Sequence, residues 1–74
     1  MMTDREWLAA FAAVLGVDPP TDAEIDALLG LAAAAAHGSQ RTAAPVACWL
    51  AARAGRTPEE ARDLAADIGE TPAA

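Results

Sequence analysis

Three copies of one short motif, Thr-x-x-Glu, divide this chain of 74 residues into helical segments. The copies span residues 3–6, 21–24 and 57–60, and each precedes a stretch with apolar residues at helical spacing. In such a capping box the threonine hydroxyl accepts a hydrogen bond from the backbone amide of the glutamate. The glutamate carboxylate in turn accepts one from the amide of the threonine. Because these bonds satisfy donors that a helix start leaves free, the motifs predict three helix starts.

Glycine and proline predict the remaining boundaries. Gly16 ends the first helix, Gly38 ends the second as a left-handed terminator, and Gly55 ends the third, which takes Pro45 in its first turn. The sequence thus predicts an all-α fold, a single compact bundle of four short helices in one domain, residues 1–74. The four helices are expected at about residues 4–15, 22–36, 43–54 and 58–68, and the tail from residue 70 to 74 is expected to fray.

Each predicted helix carries an apolar face, and these faces are expected to form the core. The third helix, with Trp49, is expected to be central because its neighbours are needed to cover it. The residues predicted to be buried are Trp7, Leu8, Phe11, Val14, Leu15, Ile25, Leu28, Leu29, Ala32, Ala36, Val46, Trp49, Leu50, Ala61, Leu64, Ala65 and Ile68.

Charge is distributed unevenly along the chain. All eleven Asp and Glu residues lie outside residues 27–58, whereas three of the five Arg residues lie inside, in a chain of net charge −6. An acidic chain without lysine argues against nucleic acid and anionic membranes as partners, since phosphate neutralisation needs clustered cations. A single cysteine excludes an internal disulfide, and no targeting or membrane-spanning segment is evident, so a cytoplasmic location is expected.

The connector at residues 37–45 is the candidate functional segment. Arg41 precedes the third helix, whose first amides, at Ala43 and Ala44, are expected to lack intrahelical acceptors. Free amides beside a guanidinium can hold a phosphate or a carboxylate, and the Thr42 hydroxyl would add a donor. His37 could join this site if the connector folds back.

Structural roles compete with each of these assignments. His37 could instead cap the last carbonyls of the second helix, and Arg41 could form an ion pair with another helix. Cys48 is expected to be a small hydrophobic residue, and its use as a nucleophile would need His37 as the base. Asp22 and Asp26 are interpreted as a solvated face and not as metal ligands, so no metal site and no cofactor are expected.

Several motifs together resemble a small actinobacterial domain of unknown function. They are Trp-Leu at 7–8, Leu-Leu-x-Leu-Ala at 28–32 and Ala-His-Gly-x-x-Arg-x-Ala-Ala-Pro at 36–45. This sequence departs from the family pattern at Gly30, where Asp is usual, at Thr42, where Pro is usual, and at residues 51–53, where a Gly is common. That family occurs alone or fused to molybdenum cofactor guanylyltransferase, so the resemblance implies a link to molybdenum cofactor biosynthesis but not catalysis.

These observations favour a non-enzymatic accessory or interaction domain. Its connector would contact a phosphate-bearing ligand or an acidic surface of a partner such as the guanylyltransferase. The alternative is a structural helical domain that forms a homo-oligomer and takes no ligand, which the small core and alanine-rich faces favour. A small enzyme that uses His37, with Cys48 or Arg41, is the lesser alternative.

Overall fold

The computed structural model describes residues 1–70, which form four α-helices and no strand. The helices are α1 (Asp4–Leu15), α2 (Asp22–Gly38), α3 (Ala43–Arg53) and α4 (Pro58–Glu70). The predicted all-α fold with four short helices is therefore confirmed. Residues 71–74, the end of the tail that was expected to fray, lie outside the described residues, and Glu70 belongs to α4.

The three capping boxes are formed as the sequence predicts. In α4 the Glu60 amide donates to the Thr57 hydroxyl at 3.1 Å, and the Thr57 amide donates to the Glu60 carboxylate at 2.9 Å. The same reciprocal pair of hydrogen bonds caps the start of α1 at Thr3 and the start of α2 at Thr21. Local sequence thus sets three of the four helix starts.

The helix ends follow the prediction at two glycines and depart from it at the third. Gly16 and Gly55 adopt the left-handed conformation, with φ of 76° and 72°. Gly38, predicted to do the same, is instead the last residue of α2. The amide and hydroxyl of Ser39 both donate to the Ala35 carbonyl, at 3.1 and 2.9 Å, so this helix end needs no left-handed glycine.

The centre of the fold is α2, which packs against both α4 and α3, while α3 and α4 touch each other only slightly. The expectation that the third helix would be central is therefore wrong. Gly30 on α2 leaves room for the Arg62 side chain of α4, since a Cβ built on Gly30 would lie 3.1 Å from Cδ of Arg62. The buried residues are Ala12, Ile25, Ala27, Leu31 and Ala61.

Most of the large apolar residues that were predicted to be buried are exposed, and α3 contributes no buried residue. An apolar face is buried only where a second helix packs over it, and α1 does not pack over any of the other described helices. Within the described residues, no Cα atom of α1 comes within 8 Å of a Cα atom of another helix. The incorrectly predicted residues are Trp7, Phe11, Val14, Leu15, Leu29, Val46, Trp49, Leu50, Leu64 and Ile68.

Candidate interaction surfaces

The first half of the connector holds an exposed histidine and a capping serine. His37 lies in the last turn of α2, and its exposed side chain makes no hydrogen bond or ion pair with residues 1–68. The capping role considered for His37 is filled by Ser39, whose hydroxyl bonds the Ala35 carbonyl. His37 is therefore free to contact a ligand or a partner.

The second half of the connector does not offer the free amides that were predicted. The Ala43 amide donates to the Gln40 carbonyl at 2.9 Å, and the Ala44 amide donates to the Arg41 carbonyl at 3.2 Å. The next residue, Pro45, has no amide hydrogen. The tight turn that leads into α3 thus uses the amide donors on which a backbone anion site would depend. The prediction that these two amides are free is therefore wrong.

The side chains of this segment do not converge on one point, so they do not replace the two amide donors. Thr42 occupies the N-cap position without a side-chain capping bond. Arg41 is exposed, and none of the ion pairs in the described part of the chain includes it. The interhelical ion pair considered for Arg41 is therefore not formed, and its guanidinium faces solvent.

An open cavity of about 760 Å³ lies between α3 and α4, with the second half of α2 as its floor. We call it the groove. Of the predicted site residues, only His37 and Ala43 line it, whereas Arg41, Thr42 and Ala44 do not. Its larger lining side chains are Leu31, Leu50, Leu64, Ile68, His37 and Arg56.

The groove is apolar with a basic border. Alanines from α2, α3 and α4 alternate with leucines along its walls. Among residues 1–68, His37 and Arg56 are the ionisable side chains that line it, and no carboxylate does so. Arg56 makes an ion pair with Glu60 at 3.8 Å between two exposed groups, which is weak in water. The sequence pattern did not indicate Arg56, although the acid-free segment includes it.

A second apolar surface lies outside the groove, on the outer face of α3 formed by Val46, Trp49 and Arg53. These residues are spaced i, i+3 and i+7, so they share one side of the helix. The Trp49 side chain is 60 % exposed, and the Arg53 guanidinium lies 5.2 Å from the centre of its ring. The outer face of α3 is thus apolar and cationic.

The pairing of Cys48 with His37 finds no support in the geometry. Cys48 is half-buried on α3 and does not line the groove, whereas His37 does. Burial raises the pKa of the Cys48 thiol, which disfavours the reactive thiolate. In residues 1–70, no three His, Cys, Asp or Glu side chains come together as a set that could hold a metal ion.

The described helices include none that is long and apolar enough to cross a lipid bilayer. Together, the four helices and their uncovered apolar surfaces define a small all-α domain. The chain belongs to the family of the domain of unknown function DUF6457, whose model matches residues 1–74. No curated protein and no solved structure matches it. The single-domain organisation and the cytoplasmic location stay predictions.

Proposed function

We propose that this chain is a non-enzymatic interaction domain whose outer α3 face binds an acidic surface of a partner protein. The observation that carries the proposal is that α3 has no buried residue, yet presents Trp49 and Val46 to solvent. Apolar surface left uncovered opposes the solubility of a monomer, and contiguous patches of this kind mark interaction sites.

The residue types on this face suit a binding site. Tryptophan and arginine are the side chains most enriched among the residues that dominate binding energy at protein interfaces. The Arg53 guanidinium lies over the Trp49 ring, 5.2 Å from its centre, so the two side chains present one continuous apolar and cationic surface. The alanines around them let a partner approach the helix closely.

Charge favours an acidic partner surface over a phosphate-bearing small ligand. The segment 27–58 contains Arg41, Arg53 and Arg56 and no acid, in a chain of net charge −6. A compact phosphate site would need converging donors, but the amides of Ala43 and Ala44 are already bonded. Separate exposed guanidinium groups suit a broad acidic surface, which they steer toward α3.

The partner that we propose is a molybdenum cofactor guanylyltransferase. Support for this choice is the resemblance of the connector and of α2 to a domain that occurs fused to that enzyme. In this arrangement the domain adds a docking surface and takes no part in nucleotidyl transfer. A separate chain and a fused domain would use the same outer face.

The experiment is a calorimetric titration of the wild-type chain into purified guanylyltransferase. Trp49→Ala is expected to weaken the affinity at least tenfold, as loss of a central aromatic residue does at other interfaces. Arg41→Ala is expected to weaken it by a smaller factor while leaving the helical circular dichroism unchanged. Leu29→Ala is the matched control, since Leu29 is an equally exposed apolar residue that lies on α2.

The outcomes separate the partner from the surface. If the wild type does not bind the guanylyltransferase, the proposed partner is wrong. If the wild type binds and Trp49→Ala binds equally well, the outer face is not the binding site. Loss of helical signal in Arg41→Ala would make Arg41 a structural residue and would remove its role in binding.

Self-association is the second function that a specific observation favours. The groove and the apolar face of α1 are both uncovered, although they belong to the same chain. Sedimentation over a range of concentrations tests this function, because the fraction of chains that are associated rises with the concentration. An enzyme that uses His37 would need a reactive partner beside it, and the half-buried Cys48 thiol does not line the same groove.

A further inference from the structure

Two apolar elements of this chain lack a partner and are complementary in form. The groove lacks an occupant, and α1 carries an exposed face formed by Trp7, Phe11 and Val14. We propose that two copies of the chain form a reciprocal dimer in which α1 of each copy lies in the groove of the other. This inference deepens the self-association function and is independent of the outer α3 face.

The α1 helix of the same chain lies away from the groove. The Arg5 guanidinium is 3.6 Å from the Asp22 carboxylate, so the start of α1 lies near the start of α2. The groove lies along the other half of α2, from Leu31 onward. At 1.5 Å per residue, Ala34 is about 18 Å along the helix from Asp22. The groove is therefore open to the α1 helix of a second copy.

The apolar face of α1 has the spacing that helices use when they bind in grooves. Trp7, Phe11 and Val14 lie at i, i+4 and i+7, the pattern of anchors in helix-in-groove recognition. The rings of Trp7 and Phe11 are already in contact, with 5.2 Å between their centres, so the anchor is preformed. With α1 of the second copy added, the helices α2, α3 and α4 would form a four-helix arrangement around the filled groove.

Charge also matches between the two elements. The groove is lined by the basic residues His37 and Arg56 and, within residues 1–68, by no acidic one. The first turn of α1 carries Asp4 and Glu6, both exposed. In a chain with eleven acidic residues, an acid-free groove is the place where an acidic helix start meets the least repulsion.

The reciprocal arrangement doubles the area that a single α1 helix could bury. A standard interface buries about 1,200–2,000 Å² in total, and Trp7 and Phe11, which are 54 % and 46 % exposed, each have about half of the ~150–250 Å² of an aromatic side chain left to cover. Exchange of both α1 helices covers four aromatic side chains and the walls of two grooves. The buried area of the dimer is therefore the sum of two contacts, each of which would be small alone. The two-fold symmetry closes the assembly and prevents growth into fibres.

The test uses sedimentation velocity of the full chain with one variant on each element. Phe11→Glu on α1 and Leu50→Glu in the groove are each expected to weaken dimerisation at least tenfold, because each places a carboxylate in an apolar contact. Both side chains are about half exposed in one chain, so the new carboxylates stay hydrated and the helical circular dichroism is retained. Leu29→Glu is the control, since Leu29 is exposed on α2 outside the groove and should leave the dimer intact.

Mixing the two variants tests the reciprocal geometry. A heterodimer of Phe11→Glu and Leu50→Glu keeps one native contact, between the unchanged α1 of one chain and the unchanged groove of the other. The mixture is therefore expected to dimerise more strongly than either variant alone. No recovery on mixing would overturn the exchange, and a wild type that stays monomeric up to about 1 mM would overturn the dimer. Trp49→Ala should dimerise normally, which separates this inference from the proposed function.

Discussion

The interface between α2 and α4 and the exposed helix α3 are built from similar residues with opposite outcomes. Ala27, Leu31 and Ala61 are buried where α2 meets α4, whereas α3, similarly rich in alanine, contributes no buried residue. The difference lies in the neighbours, because α2 is covered from two sides and α3 from one. The buried contacts that stabilise the fold and the largest exposed side chain of α3, Trp49, therefore lie in different parts of this small molecule.

This division follows from how few buried side chains the fold has. A chain of this length hides a smaller fraction of its surface than a larger domain does, and its stability is a few kcal/mol. The buried positions on α2 therefore carry much of that stability. The apolar side chains of α3 contribute little to the free energy of unfolding of one chain and remain available to a partner.

The largest effect that tests this division is expected from Leu31→Ala. Leu31 is 4 % exposed at the centre of α2, and truncation of a buried leucine costs about 2–5 kcal/mol of unfolding free energy. A loss of this size is comparable with the whole stability of a small domain, so most of the molecules are expected to be unfolded. Leu50→Ala, the same change at a residue that is 51 % exposed, should cost less than about 1 kcal/mol.

Urea denaturation followed by circular dichroism measures both variants at low protein concentration, where self-association is minimal. The contrast between the two leucines is the critical quantity. Equal losses for Leu31→Ala and Leu50→Ala would mean that α3 is as well packed as α2, and the division between the two regions would fail.

A smaller effect is expected from the helix starts, which differ between α4 and α3 in the same way. The Thr57 hydroxyl accepts from the Glu60 amide at 3.1 Å, whereas Thr42 makes no side-chain capping bond. Thr57→Ala should therefore lower the free energy of unfolding by about 1 kcal/mol, and Thr42→Ala by close to zero. The same denaturation assay checks the pair, and equal losses would contradict the capping geometry.

The fold was largely predictable because its signals are local. Each capping box lies within four residues, and its hydrogen bonds form whichever helices pack together. Gly16 and Gly55 were recognisable as helix ends for the same reason, while Gly38 was not, since the Ser39 hydroxyl took over its role. Serine at a helix end is a weaker signal than glycine.

The burial pattern and the site were less predictable because they depend on tertiary neighbours. Periodicity shows that Trp49 and Leu50 lie on an apolar face, but it cannot show whether another helix covers that face. Likewise, the amides of Ala43 and Ala44 were expected to be free, and only the turn through Gln40 and Arg41 supplies their acceptors. What the sequence did indicate is the acid-free segment, which lines much of the groove and forms the outer face of α3.

The smallest effect is expected from pH, and it should again distinguish α1 and α4 from α3. The backbone amide of Thr3, and then its hydroxyl, lower the pKa of Glu6 below its ordinary value of 4.5. Thr57 lowers the pKa of Glu60 in the same way, with a smaller contribution from Arg56. A carboxylate with a lowered folded pKa stabilises the fold above its unfolded pKa, and this contribution is lost as the pH falls through the folded value. Stability should therefore decline as the pH drops below 4.5, the ordinary pKa of these two groups.

Amide hydrogen exchange measured by NMR locates this loss along the chain. The first turns of α1 and α4 should lose protection as the pH falls below 4.5, after correction for the intrinsic exchange rate, because their capping carboxylates become protonated. The start of α3 lies in the acid-free segment and should change least. Glu60→Gln supplies the control, because glutamine can still cap the helix but does not titrate, so α4 should lose this pH dependence. An α4 start that responds to acid equally in Glu60→Gln and in the wild type would show that the capping carboxylate is not the group responsible.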